Sequence, residues 1–389
     1  MDASGALQKT LTLQDLIFFG IASIIGSGGF NLIGEAIMKG GNQWPLALGI
    51  SSAILMGSAR TYEEAFNEFK TNTAESDFVK KIFGKNASIA TSAAIMLWNI
   101  LSIGTILVIC SHMLFPEGTW LGQITFALIL LGLMGYFSLK GMDMNKETIN
   151  TFSAVLILLL TGVSFLGIVG VGKNGIPSIP NITGSSLPAS ILFFYFILAG
   201  FDALIKFTEE TKDAKDIPRS FYLSNLIAIT VVFGMCLAFV STVDMRNSKN
   251  YDNGIGAILQ KFLGGNTRII VMYFSIIYMI VTTFVAFLAT TRYLFSLGGE
   301  YKVLESMKVL NEAKVPTNAV FLTLIASALC ILVNHIEYLV RAADLGLSVM
   351  LLFVAAAATK SVANKGNMPW VEGSTAVGLA GLAGLTFIR

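Results

Sequence analysis

Apolar runs near 13–38, 44–66, 87–114, 119–139, 148–171, 187–209, 220–243, 268–297, 318–336 and 343–363 follow one another with short polar connections. A helix needs about 20 apolar residues to cross the hydrocarbon core of a bilayer, so each run is of spanning length. Inside lipid every backbone N–H and C=O must find a partner within the protein, and a single run of this length does so as a helix. The chain therefore reads as an all-α membrane protein, one transmembrane domain over 1–389 with no room for a separate soluble domain. An eleventh apolar segment, 374–388, is short and rich in Gly and Ala, and is carried as an additional short helix.

Only 13% of the 389 residues are charged, against about a quarter in an ordinary soluble protein, which excludes a soluble globular enzyme. Lys and Arg total 26 against 24 acids, a net charge of +2, so a nucleic-acid partner, usually marked by a basic patch, is not expected. Cys110, Cys236 and Cys330 sit singly in separate apolar runs, and the two histidines, His112 and His335, lie near the ends of others. Neither a metal centre nor a redox pair follows from that spacing, and no cofactor is expected. The N-terminal MDASGALQKT lacks the basic start, apolar core and cleavage site of a signal peptide, so the first helix is expected to stay in the mature protein. With a cytoplasmic N-terminus, eighteen of the 26 basic residues fall on the inner side, the bias that orients multi-pass proteins. Segment 253–264 is too short to span and is expected to lie as an interfacial helix on the outer face.

Two runs are interrupted. The first carries Gly26-Ser27-Gly28-Gly29 at its centre, and because Gly in a helix interior costs about 1 kcal/mol relative to Ala, the cluster favours an unwound segment. Close helix packing through small residues explains it equally well when taken alone. The sixth run tips the balance, with Ala199-Gly200-Phe201-Asp202 near its middle. Interruptions at corresponding places in two halves are a pointer to a binding site in an inverted-repeat transporter. Unwinding exposes amides at one half-helix start and carbonyls at another half-helix end, which suits a ligand bearing both a carboxylate and an ammonium. A free amino acid is such a ligand.

Four stretches resemble the amino acid, polyamine and organocation transporter superfamily: Leu13-Gln14-Asp15 through Phe30, Tyr62-Glu63-Glu64, Phe193 through Gly200-Phe201-Asp202-Ala203 to Glu209-Glu210, and Asp216-Ile217-Pro218-Arg219. Thr291-Arg292-Tyr293-Leu294-Phe295 is a weaker fifth, and the cationic amino acid permeases resemble the long sixth-run motif especially closely. The resemblance implies a LeuT-like bundle of two inverted five-helix repeats, about 13–171 and 187–363, with ten core helices. It implies that Ser27, Gly28 and Gly29 offer amides to a substrate carboxylate, that carbonyls around Ile24, Ile25 and Ala199 receive its ammonium, and that Gly200, Phe201 and Asp202 complete the site, Phe201 as an aromatic gate. Proton-coupled relatives carry a lysine in the fifth helix; here Ser153 or Ala154 stands at that place. Thr282 and Thr283 resemble the hydroxyl pair that, with carbonyls such as those of Ala22 and Ile25, holds sodium in sodium-coupled members. The alternative is that both threonines bond back to their own helix. The stretch Lys70-Thr71-Asn72-Thr73-Ala74-Glu75 departs from the proline and glycine pair usual after the second helix, so the inner loop is expected to gate differently.

Ionisable residues inside a membrane need a reason. Asp202 reads first as an N-cap of the inner half-helix and second as a charge orienting the break. Lys206, four residues after Asp202 and with Glu209 and Glu210 three and four residues on, predicts a ladder of ion pairs on one face. Arg60, Glu63 and Glu64 are expected to form a cytoplasmic network, and Asn99 and Ser102, with Trp98 and Thr105, either line a cavity or bond between helices. The sequence thus predicts a permease, not an enzyme, moving an amino acid by alternating access, with sodium or a proton as coupling ion. A non-transporting amino acid sensor and a polyamine transporter are the alternatives.

Overall fold

The computed structural model describes residues 6–25, 32–174, 186–242, 258–259 and 267–388. The first run contributes α1 (Leu13–Ile25) and α2 (Ile33–Gly40). Next come α3 (Trp44–Glu68), a short α4 (Ala74–Phe83), α5 (Lys85–Leu114), α6 (Trp120–Ser138) and α7 (Met142–Asn174). The sixth run divides into α8 (Leu187–Leu198) and a 3-10 helix, Phe201–Glu210. The chain continues with α9 (Asp216–Thr242), α10 (Thr267–Glu300), α11 (Thr317–Val333), α12 (Ile336–Asn364) and α13 (Trp370–Ile388). Strand-like pairing among the described residues is confined to two isolated bridges, Leu11 with Thr211 and Leu310 with Pro316.

Among the described residues, seven units are long and apolar enough to cross a membrane: α5, α6, α7 up to Leu166, α8 with its 3-10 continuation, α9, α10 and α12. With α1 and α11 as shorter apolar helices, this is an integral membrane protein. Three expected boundaries move outward. The helix expected at 148 begins at Met142, because its polar first turn follows Gly141, whose φ of 104° ends the preceding turn. The helix expected at 343 begins at Ile336, just after left-handed Asn334 caps α11. The eleventh segment is a full 19-residue helix, begun early by polar residues that an apolar scan passes over. The stretch 70–86, expected as a connection, contains α4, which buries Phe78 and Val79 and carries Lys80 and Lys81 in its last turn. The expected interfacial helix 253–264 lies, apart from 258–259, outside the described residues.

The packing places the two interrupted runs centrally. Helix α1 packs on α9, α7 and α10, while α8 packs on α3 and α2. Helices α3 and α9, α5 and α10, and α6 and α11 also contact each other across the molecule.

Candidate substrate site at two interrupted helices

Helix α1 is described up to Ile25, α8 stops at Leu198, and Ser23 of α1 reaches the chain just beyond the end of α8. The Ser23 hydroxyl donates to the Gly200 carbonyl at 2.9 Å. Gly200 has φ 132°, and a Cβ there would stand 2.6 Å from the Ser23 carbonyl oxygen. Both the backbone conformation and the close approach therefore require glycine. Ala199 is extended (ψ 152°), which turns the chain out of α8 before the 3-10 helix begins. Ile24 and Ile25 are buried at the end of α1, and Phe201 and Asp202 are buried just beyond the second break. Ser27, Gly28 and Gly29 lie outside the described residues. The structure thus brings Ile24 and Ile25 into the neighbourhood of Ala199 and Gly200, where α1 and α8 direct their C-terminal, partly negative ends.

Neighbouring hydroxyls hold α1 in place. Ser153 of α7 donates to the Phe18 carbonyl at 3.0 Å and Thr282 of α10 to the Ala22 carbonyl at 2.6 Å. Thr283 instead donates to Met279 of its own helix at 2.6 Å. Of the oxygens expected around sodium, Thr282 and Ala22 are thus in direct contact, while the Thr283 proton is turned along α10. On α5, the amide nitrogen of Asn99 and the hydroxyls of Ser102 and Thr105 are buried without a hydrogen-bond partner among the described residues. Among the described residues no bond to a neighbouring helix occupies these three atoms.

Asp202 is not a helix cap. The 3-10 helix is preceded by Gly200 with no side-chain cap, and the Asp202 carboxylate accepts from Lys206 Nζ at 3.0 Å. The same ammonium donates to the Asp202 carbonyl at 2.9 Å and lies 3.3 Å from Glu75 Oε1 of α4. The expected ladder onward to Glu209 and Glu210 does not form, because ten residues of 3-10 helix turn those side chains to other partners. Glu210 takes a bidentate bond from buried Arg292 of α10, at 3.0 and 3.2 Å. Glu209 accepts from Ser296 at 2.8 Å, and Asn72 closes the loop by donating to Ser296 at 3.1 Å and accepting from the Glu209 amide at 2.9 Å. The Phe201 ring lies edge-on to Tyr62 and Phe221, 5.3 and 5.8 Å away between centroids. It is closed into an aromatic cluster with α3 and α9.

The Arg60 network is present and wider than its sequence spacing indicates. Arg60 bonds Glu63 at 2.9 Å and Glu64 at 3.2 Å and lies 3.7 Å from Glu372 of α13, while Tyr222 donates to Glu63 at 2.6 Å. Sequence reasoning missed Glu75, Arg292 and Asn72 as members of buried clusters. The burial of one face of α4 was the available signal for the first of them.

The family whose description is amino acid permease matches residues 11–388. The chain belongs to this family. Among curated relatives, the branched-chain amino acid permease BcaP of Bacillus subtilis is 22% identical over 66% of this chain and 59% of its own length. The low-affinity putrescine importer PlaP of Escherichia coli is 23% identical over 75% of this chain and 67% of its own. Cationic amino acid transporter 1 of Arabidopsis thaliana is 25% identical over 90% of this chain and 61% of its own. The chain thus spans roughly three fifths to two thirds of the length of these relatives. The permease family membership and the membrane helices agree with the reading of the motifs around both breaks.

Proposed function

We propose that this permease-family protein is a secondary transporter for an amino acid, held between the interrupted first and sixth runs and moved by alternating access. The observation that carries the reading is the contact of α1 with the second break, where the Ser23 hydroxyl is bonded to the Gly200 carbonyl just beyond the end of α8. Carbonyls at those ends suit the ammonium, and the amides of Ser27, Gly28 and Gly29 are the proposed carboxylate site. Reciprocal packing supports a five-plus-five inverted repeat: α1 on α9 corresponds to α8 on α3, and α3 with α9, α5 with α10 and α6 with α11 are cross-repeat pairs. The names of the relatives share an aliphatic amine as cargo. Within that class a neutral side chain is favoured, because the Asp202 carboxylate is already paired with Lys206 and is not free for a second cation. Asn99 and Ser102 supply neutral polar contacts at the wall. Thermal-shift screening of the purified protein over the amino acids and common polyamines, followed by uptake of the best ligand into proteoliposomes, tests the proposal. A neutral amino acid that stabilises the protein and accumulates is expected. Binding without accumulation would make the protein a sensor, and stabilisation by putrescine alone would make it a polyamine carrier.

A further inference from the structure

Below the second break, two carboxylates share one buried ammonium. Glu75 and Lys206 side chains are fully buried and Asp202 is 5% exposed. With all three ionised the cluster holds one uncompensated negative charge, which is strongly disfavoured where it cannot be solvated. One proton neutralises it. The geometry decides which carboxylate takes that proton. Lys206 directs well-formed bonds to the carbonyl and the carboxylate of Asp202. Glu75 Oε1 lies 3.3 Å from Nζ, and neither Glu75 oxygen accepts a hydrogen bond among the described residues.

We propose that Glu75 is a proton-binding site of this protein, reached from the cytoplasmic side, with Lys206 and Asp202 as its fixed counter-charges. This rests on the transporter reading and names the coupling ion that reading leaves open. A hydronium ion entering from that side gives its proton to a Glu75 oxygen: an O–H bond of hydronium breaks, the carboxyl O–H bond forms, a water molecule leaves, and no bond in the protein breaks. Lys206 remains an ammonium, now paired with Asp202 alone. The link between α4 and the 3-10 helix is thereby reduced from an ion pair to a dipolar contact. Because that 3-10 helix begins one residue after Gly200, the proton acts directly on the element that carries the second break.

The surroundings agree. The 3-10 helix supplies Lys206 and Asp202, α3 supplies Tyr62, and α10 supplies Tyr293, both tyrosines lying within the field of Glu75. The Tyr62 hydroxyl is buried without a partner among the described residues. From α5 comes Ser92, whose hydroxyl is bonded with that of Tyr293 at 3.1 Å. From α12, Lys360 sits over the Phe83 ring, at the opposite end of α4. Burial pushes Glu75 up to about 7, against the opposing pull of Lys206.

Infrared difference spectroscopy of the purified protein in nanodiscs, titrated over about pH 5 to 9, reads the protonated carboxyl directly and does not depend on transport. A carboxyl band with a midpoint near neutrality is expected and should be lost in Glu75→Gln, while in Asp202→Asn, which removes the excess negative charge and leaves Lys206 to Glu75, its midpoint should move to lower pH. Carbon-13 labelling of glutamate should shift the wild-type band and labelling of aspartate should not, which keeps the assignment testable if a variant fails to fold. A missing band, or one that moves with aspartate label, overturns the proposal. Uptake in proteoliposomes is then read separately. Uptake by a protein lacking the band would refute Glu75 while sustaining the transporter, and the band in a protein without uptake would do the reverse.

Discussion

Gly200 concentrates the requirements of the site in one residue. Its φ of 132° and the 2.6 Å that a Cβ would leave to the Ser23 carbonyl leave no place for a side chain. Gly200→Ala is expected to cost about 1–3 kcal/mol of local strain and to abolish ligand-induced thermal stabilisation while the protein still inserts. Gly132→Ala on α6, where nothing stands within 4 Å, is the control, and equal ligand response in both would remove the tight junction from the site. Glu75 gives a second residue-scale expectation. Its folded value near 7 is above the ordinary 4.5, so between those values the folded state binds a proton that the unfolded chain does not. Stability from this group is complete below the lower value and is lost as pH rises through the upper one. The thermal midpoint should therefore fall between acid and alkaline buffer, by an amount equivalent to about 3 kcal/mol at most. In Glu75→Gln that component should vanish, and an identical slope in the variant would assign it elsewhere.

At the scale of elements, α13 shows how small residues allow one helix to seat on another. A Cβ on Gly57 of α3 would lie 1.9 Å from Thr375 Oγ1, and one on Gly378 would lie 3.1 Å from Ile54. Helix α13 is thus held against α3 by a small-residue seam, with Arg60 and Glu372 approaching at 3.7 Å beside it. Gly57→Val is expected to lower thermal stability by about 1–3 kcal/mol through overpacking and to expose α13 to protease. Gly49→Val on the same helix meets nothing within 4 Å and should leave both unchanged. Protection of α13 in Gly57→Val would mean that its seat lies elsewhere. The 3-10 helix is the other element with consequences. Runs of this type beyond three or four residues are uncommon and often mark a hinge. Here ten residues carry Asp202, Lys206, Glu209 and Glu210 to three different partners.

For the whole molecule, the distribution of basic residues predicts a cytoplasmic N-terminus. It places the exposed Lys70, at the end of α3, inside and the exposed Glu117, between α5 and α6, outside. Single cysteines at these two positions, in a background without Cys110, Cys236 and Cys330, should label from opposite sides with an impermeant reagent. Labelling from one side would mean that α5 does not cross. Ser76, which the polarity of its surroundings marks as accessible, is fully buried and would report nothing.

The sequence by itself determined that this is a helical membrane protein, because runs of spanning length leave the backbone no other way to satisfy its hydrogen bonds. It also located the second break, since glycine and its neighbours carry local backbone preference in their identity. Tertiary structure decided how the charges pair. Asp202 pairs with Lys206 as their four-residue spacing predicts, but Glu209 and Glu210 leave that ladder for Ser296 and Arg292. Glu75, in a stretch that reads as a polar connection, is buried because α4 folds its apolar face inward, beneath the 3-10 helix. Arg292 and Glu210 are 82 positions apart and meet because α10 passes the end of the sixth run. Local pattern records what a residue prefers. In a low-dielectric interior, the partner of a charge is fixed by which chain segments share the same few ångströms, and that is a property of packing.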